Sequence, residues 1–299
     1  MASEKQKVIS IGEVLWDILP DGARLGGAPA NVACHVARLG GEAYLASCVG
    51  DDDLGKDAIR LLQSYGVDTW LTQVSPNSMT GTASVELDAT GKPTFSIRDH
   101  VAWEKIAWTN SLEVAISQSD AVYFGTLGQK SPRSRVTIRQ AVGLARALGL
   151  PRFLDVNLRP QSYNDSMIRD SMSLASNVKL SDDELPEVAR AFGVDSSDGI
   201  EKTMRQLLLA ASLDSIVMTQ GEDGATLVSA WEEVYQPGVA VSVCDTVGAG
   251  DAFAAAFVIQ TLEGKPAIEA LRFACVSAAQ TCTHAGAIPS TRSSDDLQP

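Results

Sequence analysis

Short apolar runs recur along this chain, and most are followed by a segment whose apolar positions return at helical spacing. Residues 8–12, VISIG, read as a buried first strand. GGAPANVACHVARLG comes next, with Val32, Val36 and Leu39 on one helical face and Gly40 to stop the helix. YLASCVG reads as a second short strand, and DLGKDAIRLLQSYGV as a helix ended by Gly66. The alternation resumes with a strand at 121–127 (AVYFGTL) and a helix at 133–149. RFLDVNLRP then opens with a strand, NVKLSDDELPEVARAFG is a strand and a helix, and SIVMTQGEDGATLVS is strand, turn and strand. Helices fill 251–263 and about 267–282. Strands that are apolar along their whole length need cover on both faces, so this pattern predicts a mostly parallel sheet with helices on both sides.

Residues 80–98 break the pattern. TGTASVELDATGKPTFSIR alternates polar and apolar residues and contains an ATGK turn, which predicts a hairpin outside the main sheet. Residues 13–25, EVLWDILPDGARL, offer further extended segments for the same small sheet. No repeat, low-complexity linker or charge block divides the 299 residues. One α/β domain spanning 1–299 is expected, with a small β lid from about 13–27 and 80–100.

At 45% hydrophobic the chain can bury a large core, and its net charge of −13 argues against nucleic acid or an anionic membrane as partner. Five cysteines without a CxxC read as buried thiols in a reducing compartment, and three scattered histidines without HExxH spacing argue against zinc. The charged start, MASEKQKVIS, runs straight into a strand. With no 18-residue apolar run, a cytoplasmic location is expected.

In DTVGAGDAF, Asp245 and Asp251 bracket a Gly-Ala-Gly turn that leads into the apolar run AFAAAFVI. Glycines at a helix start let a ligand approach unpaired N–H groups, so an anion can sit there. Asp251, in the first helical turn, could take a proton from a hydroxyl aimed at a phosphoryl group. An acidic cap behind a glycine turn accounts for the stretch equally well, and the helix dipole alone would lower the Asp251 pKa. GxxxxGK[ST] and GxGxxG are both absent, which argues against a P-loop NTPase and a dinucleotide site.

The stretch has company. GGAPANVACHVARLG, VGDDDLG, DVNLRP, KLSDDE, TQGEDG and DTVGAGDAF occur in that order over nearly the whole chain. Together they resemble the ribokinase-like (PfkB) carbohydrate kinases, and GEVLWD, GGAPAN and Lys179 are most similar to the fructokinase-like members. The resemblance implies a three-layer α/β sandwich with a mostly parallel central sheet and a small β-sheet lid, acting with ATP, Mg²⁺ and K⁺. It implies Asp251 as the base, Gly248, Ala249 and Gly250 as the anion hole, and Arg159 as a clamp on the phosphoryl oxygens. Asp17, Gly26, Gly27, Asn31, Arg98 and Asn157 would meet the sugar. Lys179, Ser181, Glu184, Thr219, Gly221 and Gly224 would meet the nucleotide, with Glu184 holding Mg²⁺ through water. Asp245, Ala285, Gly286 and Ser290 would surround K⁺. KLSDDE departs from the NxxE motif of ribokinases, because Ser181 stands where the Asn would be.

The implied reaction is transfer from ATP to the 6-hydroxyl of D-fructose. 2-Keto-3-deoxygluconate kinase and a ribokinase-like activity are the enzyme alternatives, and a non-catalytic sugar-binding regulatory protein is a different class. A phosphosugar would want an extra basic cluster in the lid, where the segment offers Lys92 and Arg98, with Arg24 ahead of the glycine pair. An exposed lid sheet invites cover, so a homodimer through the lid is expected, using Val14, Leu15 and residues 83–87.

Overall fold

Alternate residues of the central strands bury against different helices. The computed structural model describes residues 5–20, 22–87 and 93–289. Its strands are β1 (Lys7–Ile11), β2 (Leu15–Leu19), β3 (Gly22–Gly26), β4 (Glu42–Ala46), β5 (Cys48–Gly50), β6 (Gln73–Ser75), β7 (Gly81–Leu87), β8 (Pro93–Ile97), β9 (Ala121–Gly125), β10 (Arg152–Asp155), β11 (Asn177–Ser181), β12 (Ser215–Thr219), β13 (Gly224–Ser229) and β14 (Glu233–Pro237). Its helices are α1 (Ala28–Arg38), α2 (Asp53–Ser64), α3 (Asn110–Ser117), α4 (Pro132–Ala147), α5 (Asp165–Leu174), α6 (Leu185–Phe192), α7 (Ile200–Ala211), α8 (Ala249–Leu262) and α9 (Ala267–Cys282). Tyr123, Phe153 and Val217 share one core with Val32, Leu62, Phe253 and Leu271, from α1, α2, α8 and α9. Their strand neighbours Val122, Phe124, Leu154, Ile216 and Met218 share the other with Leu112, Ile138, Ile168, Val188 and Leu207, from α3 to α7. This two-residue period is what a sheet covered on both faces requires.

The large sheet has eight strands in the order β14-β13-β12-β11-β10-β9-β1-β4. It is parallel from β12 to β4, and β13 and β14 are antiparallel additions. The chain goes from β1 outward to β4 and later returns to β9 on the other side, so a crevice opens beyond the carboxyl ends of β1 and β9. α8 is apolar all round, with every residue from Ala252 to Ile259 buried, because α1 and α9 cover the side that the sheet does not. Phe257 sets its ring edge-on to Phe153, centroids 6.3 Å apart; truncating such a buried ring costs about 3–5 kcal/mol.

YLASCVG is two strands, not one. Ser47 breaks the run by donating its hydroxyl to the Gly12 carbonyl at 2.7 Å, and β5 leaves the large sheet to pair with β6. The small sheet has the order β3-β2-β7-β8, with the expected hairpin between β7 and β8. Two anchors tie it to the large sheet's layers. Trp16 Nε1 donates to the Leu54 carbonyl of α2 at 3.0 Å. Asp52 caps α2 through Gly55 N and also accepts from the Thr80 N–H and hydroxyl, just ahead of β7. VGDDDLG thus ties helix and small sheet together with one carboxylate.

Val14 and Leu15 are buried in the chain's own core, as is Ala83, so they cannot face a second copy. Ile18 is the exposed large apolar residue of β2. Cys34, Cys48 and Cys275 are buried as expected, but Cys244 is exposed and Cys282 half-buried. Among the described residues no helix is long and apolar enough to cross a membrane.

Candidate active site

Four strand ends and one helix start meet at the crevice. Gly248, in the left-handed region at φ 80°, precedes α8; a Cβ there would lie 2.5 Å from Ala287 Cα, so only glycine lets the turn pack on the C-terminal loop. Ala249 N donates to the Thr246 carbonyl at 3.3 Å, and the first intrahelical bond is Ala252 N to Gly248 O at 2.9 Å. Helix geometry therefore leaves the N–H groups of Gly250 and Asp251 without an intrahelical acceptor.

Asp251 Oδ2 accepts from Asn31 Nδ2 at 2.8 Å. Burial pushes its carboxyl up to about 6. Asn31, Lys179 and Arg159 pull it down, and Asp155 adds to the rise. The helix dipole argument alone points the other way; loss of water outweighs it here. Asn31 is buried, and its Oδ1 has no partner among the described residues.

The residues expected to meet a sugar come from the small sheet, the start of α1 and the segment after β10. Asp17 lies on β2 opposite Arg24 of β3; burial raises its carboxyl and Arg159 pulls it down. A Cβ on Gly26 would fall 2.5 Å from Asp17 Oδ2, which could shift, whereas one on Gly27 (φ 102°) would fall 2.6 Å from the Glu13 carbonyl, so the chain's own packing demands glycine at 27. Arg98 is exposed just after β8, its backbone N–H bonded to the Thr82 carbonyl. Arg159 is exposed, with one N–H on the Leu158 carbonyl at 3.2 Å, and its charge reaches Glu13, Asp17 and Asp251 together. Asn157, at φ 37°, turns the chain at the end of β10.

On the other side of α8's start, Lys179 donates to Asp155 Oδ2 at 2.9 Å and Oδ1 at 3.1 Å, and the Tyr123 hydroxyl reaches Asp155 Oδ2 at 3.2 Å. Burial works against the lysine's charge, but the carboxylates of Asp155 and Glu184 outweigh it and raise its pKa. Glu184 accepts from Leu158 N at 2.6 Å and Ser181 N at 2.8 Å, and its carboxyl is raised by burial and by Asp155. Thr219 ends β12 with its hydroxyl 3.4 Å from the Leu180 carbonyl. Gly221 has φ 55° and open space around it, whereas a Cβ on Gly224 (φ 109°) would strike the Gln236 carbonyl.

Asp245 stands apart from Asp251. Its oxygens accept from Val247 N at 3.0 Å and Gly286 N at 2.8 Å, with Arg24 Nη1 at 3.8 Å. It latches its loop to the C-terminal loop, where Ala285 is exposed and Ser290 lies outside the described residues, as does Lys92. From α1, His35 donates to the Ala287 carbonyl at 2.9 Å and Arg38 to that of Pro289; burial lowers His35 to about 4, so it works as a neutral donor. No group of three or more His, Cys, Asp or Glu side chains among the described residues could hold a metal. That suits an ion carried by phosphate oxygens and water with Glu184 behind it. It suits K⁺ only if backbone carbonyls joined Asp245.

Glu13 went unnoticed in the sequence. It is 2% exposed, its Oε2 lacks a partner among the described residues, and burial pushes its carboxyl up to about 7. The backbone N–H groups of Glu13 and Ala28 and the charge of Arg159 lower it, while Asp251 raises it. A glutamate between two apolar strands, IGEVLW, was the available signal.

The sequence model described as pfkB family carbohydrate kinase matches residues 22–294. Aminoimidazole riboside kinase of Salmonella typhimurium is 30% identical over 286 residues, covering 92% of this chain and 87% of its own length. Fructokinase of Klebsiella pneumoniae is 31% identical over 310 residues, covering 98% of each chain. The crystal structure of fructokinase with bound ATP from Xylella fastidiosa superposes with a TM-score of 0.84 at 25% identity, covering 94% of this chain and 93% of that one.

Proposed function

The chain belongs to the pfkB family of carbohydrate kinases, and on that premise we propose that it transfers the γ-phosphoryl group of ATP to the 6-hydroxyl of D-fructose. The observation that carries the chemistry is the start of α8. There a carboxyl pushed up to about 6 stands beside unpaired backbone N–H groups, in the same helical turn. Asn31 holds Asp251 Oδ2, leaving Oδ1 to take the proton of the attacking hydroxyl. A base with a pKa near the working pH is well matched to that task. The N–H groups behind Gly248 and Ala249, chiefly those of Gly250 and Asp251, and the Arg159 guanidinium face the phosphoryl oxygens as charge shifts in the transition state.

Asp17, Asn31, Asn157, Arg98 and the backbone at Gly26 and Gly27 form the sugar side. Lys179, Ser181, Glu184, Thr219, Gly221 and Gly224 form the nucleotide side. Mg²⁺ arriving with ATP would neutralise phosphate charge, with Glu184 ordering its water. K⁺ would lie between Asp245 and the loop of Ala285, Gly286 and Ser290, supporting the anion turn from behind. A cytoplasmic enzyme, dimeric through the exposed face of the small sheet, completes the reading.

Fructose is favoured by the likeness to proteins named fructokinase. The likeness to aminoimidazole riboside kinase supports a riboside as the second reading. The test is kcat/KM across D-fructose, D-ribose, 2-keto-3-deoxygluconate and aminoimidazole riboside with ATP and Mg²⁺. Fructose should lead by at least about tenfold, since pocket contacts discriminate by about that much per group. A lead for any other sugar overturns the fructose assignment and leaves the phosphotransfer in place.

A further inference from the structure

We propose that Glu13 is a specificity-determining residue, which meets one hydroxyl of the acceptor sugar through its Oε2. The inference deepens the phosphotransfer reading above and rests on it. Glu13 follows the end of β1 at Ile11 by two residues. Gly27 gives α1 no side-chain cap, and the Glu13 carboxyl takes that role by accepting the Ala28 N–H together with its own. A cap needs one acceptor. Oε2 is left over and has no partner among the described residues. A Cβ built on Gly128 would lie 3.4 Å from Oε2, so this oxygen faces the turn that follows β9. The carboxyl therefore lies where β1 and β9 part, which is where a sheet of this topology takes its ligand.

Capping alone does not account for the residue, because a buried oxygen without a partner is costly and few persist without a reason. Asn31 repeats the pattern. It stands three residues after Ala28 on the same face of α1. Its Nδ2 holds Asp251, and its Oδ1 has no partner among the described residues. Glu13 is 2% exposed and Asn31 4%, so a sugar deep enough to reach Asn31 has come to the depth of Glu13 as well. The charges around Glu13 narrow the ligand group further. Asp251 lies near enough to disfavour a second anion, and Arg159 already supplies positive charge. A neutral group remains. With its pKa pushed up to about 7, the carboxyl exists with and without its proton near neutral pH. A hydroxyl suits both states, since it donates to the bare oxygen and accepts from the protonated one. An ammonium would suit only the first. The contact therefore adds no pH limb of its own.

The test sets full-length Glu13→Met, Glu13→Asp and Glu13→Gln against D-fructose and its 1-, 3- and 4-deoxy forms, with kcat/KM and direct calorimetric binding measured for each pair. In the unmodified protein one deoxy sugar should lose at least about 10²-fold in kcat/KM, because its missing hydroxyl leaves a buried carboxyl unpaired. Glu13→Met should lose about as much on fructose and shrink the penalty for that same deoxy sugar to less than about threefold, with the other two penalties unchanged within about twofold. Glu13→Gln keeps a donor and an acceptor at the same reach, so it should stay within about tenfold of the unmodified protein and retain the penalty. Glu13→Asp draws the carboxyl back by one methylene. It should show the selective loss at smaller size, and it closes the cycle where Glu13→Met does not fold. A loss spread evenly over the four sugars would leave Glu13 as a cap of α1 alone and overturn the proposal. If another sugar leads in kcat/KM, its own deoxy forms replace those of fructose. If the unmodified protein phosphorylates no sugar, the phosphotransfer reading fails, while calorimetric binding of the four sugars still decides Glu13. No sugar binding at all would overturn both.

Discussion

The two sheets treat their charged side chains in opposite ways. At the carboxyl ends of the large sheet and the start of α8, the carboxylates and Lys179 are sunk and held, and Arg159 alone of the charges discussed there is exposed. Lys179 and Tyr123 hold Asp155, two backbone N–H groups hold Glu184, and Asn31 holds Asp251. On the small sheet Asp17 is half-buried with its carboxyl against the Gly26 backbone, and Arg98 stands in solvent. Groups of the first kind are in working position before a ligand arrives, which is what transition-state stabilisation needs. Groups of the second kind would, on the proposed reading, be ordered by the ligand and act on binding. Substitutions in the large sheet should therefore appear in kcat, and those in the small sheet in KM.

The sharpest break would come from Asp251→Asn. It keeps the shape and the Asn31 contact but removes the proposed base, so kcat should fall by about 10³-fold or more, with sugar KM within about threefold. Near-normal turnover in that variant would remove Asp251 from the chemistry. In the unmodified protein, kcat/KM should rise with pH on an acid limb near the Asp251 value of about 6 and then level. An acid limb near 4 would mean that burial does not dominate this carboxyl.

Glu13 gives the next largest effect, on stability. Its carboxyl sits at about 7 in the folded chain against an ordinary 4.5. Between those values the folded chain still holds the proton and the unfolded chain has released it. Stability is therefore fully present below about pH 4.5 and declines as pH rises toward 7, by up to about 3 kcal/mol. Asp251 adds a smaller decline of the same sign, over a window ending near 6. Glu13→Gln keeps the shape without the charge. Its denaturation midpoint should exceed that of the unmodified protein at pH 8 and match it at pH 5. A gain that is equal at both values would trace the effect to packing and not to the buried charge.

Much of this division was legible in the sequence, for local reasons. Burial along nearly the whole length of β1, β9 and β10 and an all-apolar α8 are written in consecutive residues, as is the alternating β7–β8 hairpin. The acidic glycine turn is equally local, and the motif order pointed to the family. What escaped was set by register or by competing magnitudes. Asp155 and Lys179 are 24 residues apart and meet only because β10 and β11 align. The direction of the Asp251 shift depends on how much water the fold removes, which a turn motif does not encode. YLASCVG has the composition of one strand, and its break depends on a hydrogen bond from Ser47 to Gly12. Glu13 sat unremarked inside a motif read for Asp17. Val14 and Leu15 looked like surface residues of a lid because their cover comes from elements distant in the chain.

The small sheet supplies the finer tests. Asp17→Asn removes the charged acceptor proposed for two sugar hydroxyls, and such bonds are worth about 1.5–3 kcal/mol. Sugar KM should rise about 10–100-fold, with kcat changed only severalfold. A loss confined to kcat would move Asp17 into the preorganised group and erase the contrast between the sheets. Arg98→Ala should do least. Fructose is neutral, so an exposed guanidinium can offer it no more than a screened hydrogen bond, and kcat/KM should fall less than about tenfold. An anionic sugar would change this, because a carboxylate or phosphate binds the guanidinium through two parallel bonds and loses far more with it. A loss above about 10²-fold on Arg98→Ala, abolished by raising the salt concentration, would mean that the small sheet reads charge on the substrate, and the natural sugar would then be an acid or a phosphate ester in place of fructose.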